Sequence, residues 1–163
     1  MRHAQQVPGR YSLHRADQKV KYMEFDRWNV RQKIKMIKRR NLRSLEEAIQ
    51  YLSEDEYSPG TGYVKEYLWR TLAIVPLTQR QREQLQSIGL RYLRRPITRE
   101  FWIMCRSMSV IADREYREMV EQYVSNATCE VHQRALYLQA YLKSIELGES
   151  YKRLQTRISG HKA

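Results

Sequence analysis

The chain contains few of the residues that make tight turns. Its 163 residues include six Gly and four Pro, too few for the many turns that an antiparallel sheet protein needs. Residues of high helix propensity, namely Leu, Arg, Glu, Gln and Ala, are instead abundant. The composition therefore predicts an all-α protein.

Cysteines and long apolar segments are also scarce. The two cysteines, Cys105 and Cys129, are too few for a disulfide framework, and their apolar neighbours predict reduced thiols in or near the core. No segment approaches the roughly 18 apolar residues of a membrane-spanning helix, and residues 1–10 include no apolar stretch typical of a signal peptide. We expect a cytoplasmic protein without a membrane partner.

Positive charge is plentiful, and it is concentrated near the N-terminus. The formal net charge is +12. Residues 1–43 carry thirteen Lys or Arg against three Asp or Glu, residues 44–75 carry two against six, and residues 76–163 carry fifteen against nine. An acidic segment therefore separates a strongly basic part from a moderately basic remainder.

The apolar periodicity predicts how the chain is organised. Residues 1–18 show no apolar period and are expected to form an irregular arm, whereas residues 19–163 are expected to form a single all-helical domain. We expect that domain to contain a basic helix at 19–43, an acidic helix and loop at 44–61, and helix-pair repeats at 62–158.

The basic helix and its successor have recognisable local patterns. Val30, Ile34 and Ile37 follow one another at i, i+4 and i+7, which predicts an apolar stripe that docks on the rest of the domain. Ser44 followed by Glu47 fits a capping box at the start of the next helix. The stripe also argues against a membrane-surface role, because the fold needs it.

Polar residues mark further helix starts. Thr78 followed by Gln81 fits a second capping box, and Thr98, Asp113 and Thr128 are each expected to cap the helix that follows. Pairs of helices are thus predicted to begin near residues 62 and 78, 98 and 113, and 130 and 147. The spacing of about 36 and then 32 residues is typical of helical repeats. It predicts a short α-solenoid-like stack of antiparallel helix pairs, with an irregular helical bundle as the alternative.

One segment resembles a known repeat family. Residues 123–136, YVSNATCEVHQRAL, resemble the turn and following helix of a HEAT or armadillo-like repeat, with a polar turn residue, Val131, and Arg134 before a small-apolar pair. Residues 62–73 are more distantly similar. The resemblance extends over about residues 62–158 and implies helix pairs that stack on their neighbours.

Catalytic and metal-binding patterns are weak. We find no glycine-rich phosphate loop, serine nucleophile elbow or His-Glu metal helix, and Cys129 with His132 supplies only two of the four ligands of a structural zinc site. Arg10 and Arg157 each precede a histidine by four residues, one residue short of the spacing in HEPN-type nucleases. The sequence therefore predicts no enzyme and no cofactor.

The strongest functional feature is a dense set of cations. Such a set is expected to meet an anionic surface that relieves its repulsion, and the phosphate backbone of RNA or DNA is the favoured partner. Cations near the end of a later helix could extend the contact. The predicted nucleic-acid-binding residues are Arg31, Lys33, Lys35, Lys38, Arg39, Arg40, Arg43, Arg94 and Arg95.

Two functions remain open from the sequence. The first is a non-enzymatic, sequence-independent nucleic-acid-binding protein, or a subunit of an RNA- or DNA-handling complex. The alternative is a protein-interaction adaptor, inhibitor or immunity-type factor that binds an acidic protein through the helical-repeat surface. The sequence does not predict an oligomeric state.

Overall fold

A computed structural model describes residues 29–54, 61–126 and 128–146 of the chain. All regular secondary structure in these ranges is helical, which confirms the all-α prediction. The helices are α1 (Val30–Lys38), α2 (Leu42–Glu54), α3 (Thr61–Leu72), α4 (Gln79–Tyr92), α5 (Arg99–Ile111), α6 (Arg114–Asn126) and α7 (Cys129–Glu146). The predicted arm at 1–18, the first part of the basic helix, most of the acidic loop and the helix expected from residue 147 lie outside the described residues.

Side-chain caps explain where three of the helices begin. Thr78 and Gln81 form the predicted capping box at the start of α4, in which each side chain bonds to the backbone N–H of the other residue. Thr98 and Asp113 each accept a hydrogen bond from the backbone N–H three residues further on. The polar residues that the sequence identified as caps therefore begin α4, α5 and α6, since each satisfies a backbone donor that a helix start leaves free.

The predicted capping box at Ser44 is wrong. The Oδ1 atom of Asn41 accepts a hydrogen bond from the backbone N–H of Ser44 at 2.9 Å, so the helix begins three residues earlier. Ser44 is buried in the first turn, and Glu47 bonds to Lys33 and Arg43 instead of a backbone N–H. Asparagine is as good a helix cap as serine, and its earlier position shortens the connection between α1 and α2.

Helices alternate between two rows. The odd-numbered helices form one row, in which α1 packs on α3, α3 on α5 and α5 on α7, while α2 packs on α4 in the other row. Cross-contacts of α2 with α1 and α3, of α4 with α5, and of α6 with α7 join the rows. The three helices that the repeat spacing placed near 62, 98 and 130 begin at 61, 99 and 129. The packed pairs differ from the predicted ones, because α4 packs on α5 and α6 on α7, whereas the predicted partners, α3 with α4 and α5 with α6, have few contacts.

One hydrophobic core runs between the rows. Its largest buried side chains include Trp69, Phe101, Tyr116 and Tyr141. Trp102 joins α5 to α7 through contacts with the rings of Tyr137 and Tyr141, whose centroids lie 5.1 and 6.3 Å from its own. Val30 and Ile37 are buried and Ile34 is partly buried against this core, as the apolar stripe predicted.

The cysteine prediction is confirmed for Cys105. This residue is a free, fully buried thiol in α5, and burial raises its pKa well above the ordinary value. A thiol of this kind is a poor nucleophile because the thiolate is disfavoured. The surroundings of the Cys129 side chain lie outside what the structure describes.

Gly89 allows α4 to approach its neighbours closely. A Cβ atom built on Gly89 would lie 2.7 Å from Oη of Tyr116 and 3.0 Å from Sδ of Met108. The Tyr116 hydroxyl is buried and has no hydrogen-bond partner among the described residues. Gly89 therefore leaves room for the buried hydroxyl of Tyr116.

We expect Gly89→Ala to destabilise the protein, although alanine is the better helix former by about 1 kcal/mol. The added methyl group would collide with Tyr116, and the free energy of unfolding should fall by about 1–3 kcal/mol, as in other overpacked cores. Urea unfolding followed by circular dichroism measures this change.

Tyr116→Phe provides the matched control for this collision. Removing the unbonded hydroxyl should leave the stability close to that of the wild type, and the double variant G89A/Y116F should lose less stability than G89A alone. A G89A protein as stable as the wild type would contradict the close approach.

Candidate nucleic-acid interface

The cations predicted at the N-terminal end of the described chain lie on α1 and the turn after it. Five of them are exposed, and the structure pairs none of the five with an acidic side chain of the described ranges. This group, called the α1 basic surface below, consists of Arg31, Lys35, Lys38, Arg39 and Arg40. These five like charges repel one another.

Two further predicted cations are engaged by one carboxylate. Lys33 of α1 and Arg43 of α2 both bind Glu47, the arginine through Nε at 2.9 Å from Oε1. Burial alone would raise the pKa of Glu47, but the hydrogen bonds from these two cations outweigh it and hold the pKa below its usual value. The bond from Lys33 holds α1 against α2, whereas the bond from Arg43 lies within α2. Both cations already have an anionic partner and are therefore less available to an external anion.

Arg40 occupies a backbone conformation that favours glycine. Its φ angle is +62°, in the left-handed region that costs other residues roughly 1–2 kcal/mol. Its N–H bonds to the carbonyl of Ile37 at 2.8 Å, and the N–H of Asn41 bonds to the carbonyl of Met36 at 3.0 Å. These are the two bonds of a Schellman motif, which usually has glycine at this position. Arg40 therefore occupies a position at which the backbone conformation favours glycine.

A groove lies beside the α1 basic surface, between α1 and α3. It has a volume of about 310 Å³. Arg31 forms part of one wall, and the exposed rings of Tyr63 and Tyr67 contribute to the other. The complete lining is Val30, Arg31, Ile34, Tyr63, Val64 and Tyr67.

A third helix adds an arginine to this face. Nε of Arg99, at the start of α5, lies 3.1 Å from Oε1 of Glu66 in α3, and its guanidinium lies 5.7 Å from the centre of the Tyr63 ring. Arg70, one turn further along α3, lies 3.9 Å from the other oxygen of Glu66. Because Glu66 is buried, it holds two arginines at the surface without exposing its own charge.

A buried polar cluster lies between α3, α4 and α5. The hydroxyl of Tyr92 donates a hydrogen bond to Glu100 and lies 3.5 Å from Nε1 of Trp69. Nζ of Lys65 lies 4.0 Å from the same Glu100 oxygen. Burial lowers the pKa of Lys65, and the charge of Glu100 opposes that effect.

Two acidic groups of this cluster have strongly raised pKa values. Burial raises the pKa of Glu100 to about 7, with Lys65 opposing the shift and Glu66 adding to it. Burial, together with the charge of Glu100, raises the pKa of Tyr51 in α2 to about 12. The proton on Glu100 therefore titrates near neutral pH, whereas Tyr51 keeps its proton in that range.

The last two predicted cations differ in their surroundings. Arg94 is exposed, whereas Arg95 is partly buried and its guanidinium lies 4.7 Å from the centre of the Tyr92 ring. Burial lowers the pKa of Arg95. Since Tyr92 also bonds to Glu100, Arg95 is linked to the buried cluster and not to the α1 basic surface.

Metal coordination finds no support in the described ranges. No group of three His, Cys, Asp or Glu side chains in those ranges could hold a metal ion. His132 bonds through Nδ1 to the carbonyl of Val124 at 2.6 Å, which gives it a structural role at the α6–α7 connection. Both predicted arginine–histidine pairs lie outside the described residues.

Half of this face was not predicted from the sequence. The predicted residues include the cations of α1 but not Tyr63, Tyr67, Arg70 and Arg99, nor the carboxylate of Glu66 beneath them. The spacing of Tyr63, Tyr67 and Arg70 at i, i+4 and i+7 could have indicated a common face of α3. That α3 lies beside α1 and α5 could not be inferred from spacing within α3.

No family model, curated protein or solved structure matches this chain. The resemblance of residues 123–136 to a HEAT or armadillo-like repeat therefore stays a prediction. None of the helices in the described ranges is long and apolar enough to cross a membrane.

We expect stability to fall as the pH rises through the titration of Glu100. Its pKa is about 7 in the folded protein, against 4.5 for the ordinary carboxyl, so the folded state binds the proton more tightly than the unfolded chain. The stabilisation is complete below pH 4.5 and is lost between about pH 4.5 and 7. Glu100→Gln, which resembles the protonated acid, should remove this slope.

Urea unfolding of the wild type and E100Q at pH 5 and pH 8 measures the effect. Between the two pH values, the wild type should lose about 2–3 kcal/mol relative to E100Q. Other titrating groups cancel in this comparison because both proteins contain them. The exposed Glu83→Gln variant is the control, and equal slopes for E100Q and wild type would contradict the buried position of Glu100.

Proposed function

We propose that this protein is a non-enzymatic nucleic-acid-binding protein that contacts the phosphate backbone of RNA or DNA through the α1 basic surface. The observation that carries the proposal is the set of five exposed cations within ten residues, from Arg31 to Arg40, none of which is paired with an acidic side chain of the described ranges. Phosphate contacts of this kind release counterions and require no base sequence. A subunit of an RNA- or DNA-handling complex would use the surface in the same way.

The energetics of Arg40 support this proposal independently of charge counting. A glycine at this position would relieve the left-handed strain, so folding alone favours its replacement. An arginine there is explained if its guanidinium contributes to a ligand contact, since strained residues concentrate at functional sites.

Salt dependence tests the proposal. Five phosphate contacts give an expected slope of log affinity against log salt of about −3.5 for a single strand and about −4.5 for a duplex. The triple variant K35Q/K38Q/R39Q should weaken binding and reduce that slope by about 2–3. Fluorescence anisotropy with a labelled oligonucleotide, at several salt concentrations, measures both quantities.

The matched control removes the same charge elsewhere. Arg80, Arg114 and Lys143 are exposed residues of α4, α6 and α7, and R80Q/R114Q/K143Q has the same net charge as the test variant. It should bind nearly as well as the wild type. Equal losses in both triple variants would indicate a general charge effect and would overturn the assignment to the α1 basic surface.

Arg40→Gly should raise the stability of the protein and weaken its binding to nucleic acid. Relief of the left-handed strain should raise the free energy of unfolding by about 0.5–1 kcal/mol, while loss of the guanidinium should weaken oligonucleotide binding and its salt dependence. Arg40→Gln, which loses the charge but keeps a side chain, should weaken binding without the gain in stability. An R40G protein that binds as well as the wild type would remove Arg40 from the proposed contact.

An adaptor function that binds an acidic protein is the second candidate. A groove of about 530 Å³ lies between α2 and α4. Its lining includes the polar side chains of Gln50 in α2 and Gln84 in α4, which could hydrogen-bond to a bound polypeptide. Recovery of the same protein partner before and after nuclease treatment would favour this function over the first.

A further inference from the structure

Two tyrosines on α3 are only half-buried. Tyr63 is 53% exposed and Tyr67 is 52% exposed, and their spacing of four residues places them on the same face of the helix. The core makes use of only part of each ring, and the phosphate contacts proposed above make use of neither. Aromatic rings in such a position are suited to stacking on another planar group.

Both rings line the groove between α1 and α3. Its volume of about 310 Å³ is at the lower end of the range for small-ligand pockets, about 300–1,000 Å³, so a single planar ring system fits. The apolar floor of Val30, Ile34 and Val64 suits the face of such a group. Arg31 in the same groove suits an adjacent negative charge.

Charge complementarity identifies the occupant. The groove continues into the α1 basic surface on one side, and Arg99 lies over the Tyr63 ring on the other. The carboxylate of Glu66, on α3 between Tyr63 and Tyr67, is buried and bound by Arg99 and Arg70. A ligand with planar apolar faces joined by closely spaced negative charges matches this arrangement, and an unpaired nucleic-acid strand has that composition.

We propose that Tyr63 and Tyr67 stack on unpaired bases, and that the protein therefore selects single-stranded over duplex nucleic acid. The inference rests on the proposed function, since the phosphates of the same strand would lie along the α1 basic surface. In a duplex the base faces are already stacked on each other and cannot reach the tyrosines. A single strand can place one base in the groove while its backbone follows the cations.

Three probes of equal length, about 12 nucleotides or base pairs, separate bases from phosphates. They are an unstructured oligothymidine strand, an abasic strand with the same backbone, and a duplex. The wild-type protein should bind oligothymidine at least about fivefold more tightly than the abasic strand, the lower limit expected for one stacked base. Dissociation constants from fluorescence anisotropy at one salt concentration provide the comparison.

Substitutions of Tyr63 and Tyr67 test whether the preference for oligothymidine depends on their rings. Y63A/Y67A should lose the preference for oligothymidine and bind all strands as the wild type binds the abasic strand, while Y63F/Y67F, which keeps both rings, should retain the preference. Met119→Ala, at an exposed apolar position of α6, is the matched control and should behave as the wild type. Since both tyrosines are half-exposed, their replacement should leave helicity unchanged by circular dichroism.

The outcomes distinguish this inference from the function on which it rests. Equal binding of oligothymidine and the abasic strand would overturn base stacking and leave phosphate binding intact. A loss in Y63A/Y67A that extends equally to the duplex and the abasic strand would also overturn it. Failure of the wild type to bind any of the three probes would overturn both proposals.

Discussion

Two acidic side chains between α3 and α5, the buried Glu66 and the partly buried Glu100, determine much of the arrangement around the candidate interface. A carboxylate that leaves water needs charged or hydrogen-bonding partners, and without them it destabilises the fold by several kcal/mol. Glu66 obtains Arg99 and Arg70, and Glu100 obtains Tyr92 with Lys65 nearby. These requirements fix the register of α3 against α5, and they also orient arginines that would otherwise move freely at the surface.

The same principle operates at α1 on a smaller scale. Glu47 of α2 binds Lys33 of α1, so α1 contains one cation that holds the helix against its neighbour and others that face outward. A count of positive charge in the sequence does not make this distinction. The outward set, together with the groove beside α3, forms a surface on which charge and aromatic rings are adjacent.

Local patterns predicted the elements well. Thr78, Thr98 and Asp113 begin helices because a cap depends on residues within one turn. The spacing of helix starts located the helices but not their packed partners, since α4 packs on α5 and α6 on α7. Prediction failed where two nearby residues competed for one role, since Asn41 caps α2 and Ser44 does not. Contacts between residues distant in sequence, such as Arg99 with Glu66, could not be predicted, because the spacing within one helix does not show which helix packs beside it.

The short length of α1 affects how stably the α1 basic surface is held on the core. The helix has nine residues and fully buries only Val30 and Ile37, whereas α3 and α5 bury rings as large as Trp69 and Phe101. A helix this short is unstable alone in water, so α1 should detach from the core with a lower free energy than its neighbours, and its amides should exchange sooner. The outward cations keep their relative positions only while α1 remains packed on the core. A polyanion bound across that spacing would therefore act as an additional tertiary contact, and part of its binding energy would be used to keep one helix folded.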